Sequence, residues 1–113
     1  LVRNEMEYGL SKETVNKINN VFSRFNEVEE VLLYGSRAKG NFKPGSDVDL
    51  TLKGEKLKLK LLNKISLDLD DLLLPYSFDI SIFHQITNPD LIEHIERVGI
   101  VFYKKMRNDR SPV

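Results

Sequence analysis

Residues 34–52 read YGSRAKGNFKPGSDVDLTL. The stretch holds, in order, the end of a strand, a tight Gly35-Ser36 turn, a short basic segment, a Pro44-Gly45 turn, and a second strand carrying Asp47 and Asp49. Ten residues separate Gly35-Ser36 from the Asp-x-Asp. Two carboxylates two apart on a strand share a face, with Cα atoms roughly 6.6 Å apart. Both can then reach one Mg²⁺, or hold two neighbouring ions. A Gly-Ser turn entering a helical turn offers backbone N–H groups and a hydroxyl to phosphate oxygens. One end of such a site holds a polyphosphate and the other its metal, the pairing that phosphoryl or nucleotidyl transfer requires.

Outward from that stretch, Ser11 caps a helix whose apolar stripe is Val15, Ile18, Val21, Phe22 and Phe25, ending near Asn26. The short apolar run before Gly35, ending at Tyr34, reads as a buried strand. Ser36 to Gly40 reads as one helical turn. In the 47–53 strand Val48, Leu50 and Leu52 alternate with Asp47, Asp49 and Thr51, so one face is apolar and the other acidic. Residues 56–74 carry leucines near helical period up to Pro75, and read as a core-packing amphipathic helix. SFDISIF (77–83) alternates again and places Asp79 in a third strand. Asn88-Pro89 starts a helix that Gly99 ends, and IVFY (100–103) is a last strand. Residues 1–10 read as a loose lead-in and 104–113 as a basic tail. The order implies an α/β (α+β) chain, one domain over 1–113: a mixed sheet of about four strands with helices packed on it. The first two strands, joined by a short link, form an antiparallel pair.

Composition narrows the function classes. The 17 basic and 17 acidic residues cancel, which argues against a protein whose task is to coat nucleic acid. There is no cysteine, hence no disulfide framework and no thiolate metal site or nucleophile, as fits a cytoplasmic protein. No apolar run approaches 18 residues, and no membrane role is expected. The segment from Tyr34 to Lys60 holds seven basic and three acidic residues, an excess read as surrounding the site, with Arg37 the best candidate to touch phosphate. A Walker A ending is absent, so the turn is not a P-loop. His84 and His94 lack metal-pair spacing and read as structural or surface residues.

Gly35-Ser36, the ten-residue gap and Asp47-Val48-Asp49 resemble the signature of the DNA polymerase β-like nucleotidyltransferase superfamily. The match is nearest to its small, single-domain branch, the minimal nucleotidyltransferases, and extends from about Glu13 to Tyr103. The resemblance implies that Gly35 and Ser36, helped by Arg37, bind the triphosphate of ATP. It implies that Asp47 and Asp49 hold Mg²⁺, and that Asp79 is the remaining metal ligand or the base. It also implies a partner, a HEPN-domain toxin, to whose tyrosine the antitoxin transfers AMP. The 113 residues hold no second domain of the kind larger members use for an acceptor, which suits an acceptor hydroxyl supplied by another protein. Two rivals stand beside this expectation: an antitoxin acting by contact alone, its site vestigial, and an enzyme modifying a small hydroxylated molecule.

Overall fold

The structure, a computed structural model, describes residues 6–106. Helix α1 (Lys12–Ser23) begins at Ser11, whose Oγ accepts the Thr14 N–H at 3.1 Å. It buries Val15, Ile18, Val21 and Phe22, the stripe that period 3.6 selects. The helix stops at Ser23 rather than near Asn26. Phe25 still packs in the core because its N–H bonds back to the Phe22 carbonyl in a closing turn.

Four strands form the main sheet, β3 (Glu30–Tyr34), β4 (Val48–Lys53), β5 (Phe78–Ile82) and β6 (Ile100–Lys104), in the order β5-β4-β3-β6. β3 pairs antiparallel with β4 and with β6, while β4 and β5 run parallel. The parallel pair needs a crossover, and α3 (Leu59–Asp70) provides it. The mixed sheet matches the architecture expected from the sequence, and the fold is α+β.

One face of the sheet is apolar. Val31 and Leu33, with Val48, Leu50 and Leu52, meet α1 and α3 in a core that includes Ile18, Phe22, Ile65 and Leu69. Each such fully buried side chain contributes about 1.5–3 kcal/mol. The opposite face carries α4 (Pro89–Val98) against β3 and against the short helix α2 (Gly35–Lys39). Alternation sends Tyr34, Asp49, Thr51, Asp79 and Ser81 to this second face.

Three expectations give way. Residues 6–11 are not a loose lead-in: β1 (Met6–Glu7) and β2 (Leu10–Ser11) form a small hairpin, and Leu10 is fully buried. The leucine-rich helix is shorter than 56–74. Leu57 enters the core ahead of it, and Leu73, in a left-handed conformation (φ 55°), stands 88% exposed in the turn back toward β5. The tail starts later than residue 104, since Lys104 pairs with Glu30 and the Lys105 N–H bonds to the Glu29 carbonyl. Residues 107–113 of the expected tail, and residues 1–5, lie outside the described residues. No described helix is long and apolar enough to cross a membrane.

Candidate active site

The register of the sheet assembles the site. Asp49 lies opposite Tyr34 on β3 and opposite Asp79 on β5. The row Tyr34–Asp49–Asp79 therefore crosses three adjacent strands on one face, neighbours being about 4.8 Å apart. One step further along the strands, the Ser81 hydroxyl donates to the Thr51 hydroxyl at 2.9 Å, with Thr51 fully buried. Asp47 is exposed on the loop one residue before β4. Among the described residues no group of three or more histidine, aspartate or glutamate side chains is placed so that it could hold a metal ion, so Asp47, Asp49 and Asp79 are not brought together as a ready three-carboxylate site. Two in-register acids with a third on the adjoining loop make an open arrangement.

The electrostatics fit a divalent cation. The Asp49 carboxyl is pushed up from 3.8 to about 6, first by its burial, then by the Asp79 charge, then by that of Asp47. The Tyr34 phenol is raised by burial first, then by the charge of Asp79 and, less, by that of Asp49, with the nearby Ser81 hydroxyl acting in the opposite direction. Among the described residues no lysine or arginine forms an ion pair with Asp47, Asp49 or Asp79. The carboxylates thus crowd one another without compensation, and all are hard oxygen donors of the kind Mg²⁺ takes.

The Gly-Ser turn is built against the same acid. Gly35 has φ +76°, and a Cβ there would overlap Asp49 Oδ2. Only glycine lets the turn lie on the carboxylate. Ser36 follows at the start of α2, where first-turn N–H groups have no intrahelical acceptor. The Gly35 N–H is an exception, because it donates to His94 Nε2 at 3.2 Å. The His94 ring also meets Tyr34 edge-on, with centroids 6.1 Å apart. To accept, Nε2 must be unprotonated, with the ring proton on Nδ1.

His94 is thus a site residue that the sequence did not reveal. Its only signal was its place on α4 beside the buried Ile95, which any structural histidine shares. His94→Ala should cost about 1 kcal/mol by leaving the Gly35 N–H unpaired, lowering the melting temperature by about 4–8 °C. His94→Gln, whose amide oxygen can take the place of Nε2, should recover most of that loss.

The Arg37 side chain, expected to help bind phosphate, is 2% exposed, and its guanidinium is taken up by groups of this chain. It makes four hydrogen bonds: Nε and Nη2 to the Ser46 carbonyl at 3.1 and 2.9 Å, Nη2 to the Pro44 carbonyl at 3.3 Å, and Nη1 to the Tyr8 carbonyl at 2.9 Å. The Phe42 and Tyr76 rings lie 5.1 and 5.0 Å from its guanidinium carbon. Of the basic excess, Lys53 stands away from the acids: it pairs with Glu30 four rungs along the strands from the Tyr34–Asp49 pair, toward the other end of the sheet. Two concavities lie there too, of about 520 and 460 Å³, and their linings include none of Asp47, Asp49 and Asp79.

Comparison with known proteins bears on the family and the fold. Residues 16–108 match the family model described as polymerase beta, nucleotidyltransferase. No curated protein matches the sequence. Among solved structures, a toxin–antitoxin with AMP-PNP aligns with a TM-score of 0.66 at 18% identity, covering 84% of this chain and 76% of that one. Tri-AMPylated Shewanella oneidensis HEPN toxin in complex with MNT antitoxin aligns with a TM-score of 0.62 at 14% identity, over 83% and 72% of the two chains. The MntA–HepT toxin–antitoxin gives 0.61 at 14% identity, over 83% and 73%. At these identities the structural likeness concerns the fold. With the family model covering residues 16–108, the chain belongs to the polymerase beta nucleotidyltransferase family.

Proposed function

We propose that the chain is an Mg²⁺-dependent nucleotidyltransferase that moves AMP from ATP to a hydroxyl of a partner protein, a tyrosine of a HEPN-type toxin, and so acts as its antitoxin. The observation that carries the reading is the placement of Asp49 in register with Asp79 and in contact with the Gly35 turn. That placement sets Asp49 against the Gly35-Ser36 turn, which we read as the one that binds phosphate. The fold neighbours include a toxin–antitoxin with AMP-PNP and a tri-AMPylated toxin with its antitoxin, which supports the substrate class.

In this mechanism the Ser36 hydroxyl and the N–H groups of Ser36 and Arg37 orient the triphosphate. Asp47 and Asp49 would hold the metal, with Asp79 beside them; a bound Mg²⁺ would supply neutralisation of phosphate oxygens and of the charge developing on the leaving group. Asp79, the exposed member of the row, takes the proton of the acceptor hydroxyl. The hydroxyl oxygen then attacks the α-phosphorus in line, the bond from the α-phosphorus to the oxygen bridging to the β-phosphate breaks, and pyrophosphate leaves. Asp79 is exposed on the edge strand β5, which suits an acceptor as large as a protein.

Intact mass spectrometry of a HEPN-type partner, incubated with this chain, ATP and Mg²⁺, tests the reading. A gain of one or more AMP units is expected, and it should vanish in the Asp47→Asn, Asp49→Asn double variant. A partner that is bound and silenced with no mass gain would instead establish neutralisation by contact.

A further inference from the structure

We propose that Arg37 is the positioning residue that locks the loop bearing Asp47 to the start of α2 and to the loop leading into Asp79. The proposal rests on the reading of Asp47 and Asp49 as the metal-holding pair. Its evidence is the set of contacts around one buried guanidinium.

Ser46 and Pro44, whose carbonyls accept from Arg37, belong to the loop that delivers Asp47, and Ser46 is the residue directly before it. Tyr76, on one face of the guanidinium, lies three residues before Asp79. Phe42, on another side, comes from the Asp47 loop. Tyr8, whose carbonyl takes Nη1, comes from the hairpin turn of β1 and β2. At Gly9 in that turn a Cβ would lie 2.7 Å from Arg37 Nη1, so the hairpin closes directly over the cation. Arg37 itself follows Ser36, the residue read as holding the triphosphate. One side chain therefore joins the phosphate turn, the Asp47 loop, the approach to Asp79 and the N-terminal hairpin.

Physical chemistry explains the choice of arginine. A buried cation is costly unless its donors are satisfied. Here three carbonyls and two aromatic faces satisfy it among the described residues, without a carboxylate partner. A planar fork can bond carbonyls in its plane while rings cover its faces, whereas a lysine ammonium offers one point. The apolar core between the sheet and α1 and α3 does not include Arg37. Removing the guanidinium should therefore loosen the rim of the site and leave the core standing.

The test uses the full chain with Arg37→Met and Arg37→Lys, and two readouts that do not depend on turnover. Amide hydrogen exchange is followed without metal. Mn²⁺ binding is followed by electron paramagnetic resonance without nucleotide. In Arg37→Met the Lys43 and Ser46 amides, which bond to Ser46 Oγ and to the Lys43 carbonyl, should exchange about tenfold faster, with α1, β3 and β4 unchanged. Mn²⁺ affinity should fall by about tenfold, the low end of the range for residues that orient metal ligands. Arg37→Lys should lie between Arg37→Met and wild type. Unchanged loop exchange in Arg37→Met, with Mn²⁺ affinity as in wild type, would overturn the proposal. Acceleration across the whole chain in both variants would overturn it in favour of a general folding role. Wild type that binds no Mn²⁺ would overturn the functional reading, and the exchange comparison would then decide the clamp by itself.

Discussion

Asp49→Asn should abolish nucleotidyl transfer and, without metal, make the protein more stable. The activity loss should be roughly 10²–10³-fold or more, the scale of removing one preorganised charge-stabilising group. The stability gain follows from the raised pKa. In the folded state the Asp49 carboxyl titrates at about 6, against 3.8 ordinarily, so the fold holds its protonated form preferentially. Stability from this group is fully present below about pH 3.8 and is lost as the pH rises through about 6.

At about 1.36 kcal/mol per pH unit the shift corresponds to about 3 kcal/mol. Asp49 is only half-buried, and solvent screening reduces the effect to about 1 kcal/mol. Thermal melts of both proteins in chelator at pH 8 should show the asparagine variant melting about 4–8 °C higher. The gap should close as the pH falls toward 4. Added Mg²⁺ should raise the melting temperature of the wild type and leave that of the variant in place, because binding to the folded state stabilises by mass action. A variant less stable than wild type at pH 8 in chelator would show that Asp49 is compensated rather than crowded.

Gly35→Ala should disable the site by geometry alone. Alanine at φ +76° costs about 1–2 kcal/mol of backbone strain. Its Cβ would also overlap Asp49 Oδ2, so the carboxylate or the turn must move. A displacement near 1 Å in reacting groups costs about 10²-fold in rate. Gly40→Ala is the matched control. Gly40 has φ +88° and caps α2, but an added Cβ meets nothing within 4 Å. Both variants should lose about 1–2 kcal/mol of stability, and only Gly35→Ala should lose the activity. Equal activities in the two variants would remove the contact with Asp49 from the account.

Part of this site was legible in the chain itself. Period 2 placed Asp49 with Thr51 on one face of a strand and put Asp79 on another strand, assignments that need only local alternation; Asp47, expected on the same strand, lies on the loop one residue before it. Period 3.6 found α1 and α4, and the Asn88-Pro89 and Gly99 signals bounded α4. The hairpin of residues 6–11 escaped, because strands of two residues carry no measurable alternation. The leucine-rich helix was overextended because leucines entering the core from flanking turns keep an approximate helical spacing. Leu57 does so before α3 begins and Leu72 after it ends.

The sequence alone determined the acids, the glycine turn and the strands that carry them, since these depend on residues close together in the chain. The tertiary structure alone decided that β5 lies beside β4, so that Asp79 faces Asp49 across thirty positions. It also decided that His94 accepts from Gly35 fifty-nine positions away, and that Arg37 turns inward to three carbonyls. The physical reason is that strand adjacency and the direction of a long side chain are set by packing among distant segments. An arginine beside a phosphate turn has the same sequence neighbours whether its guanidinium meets an anion or closes the loop that holds the neighbouring aspartate.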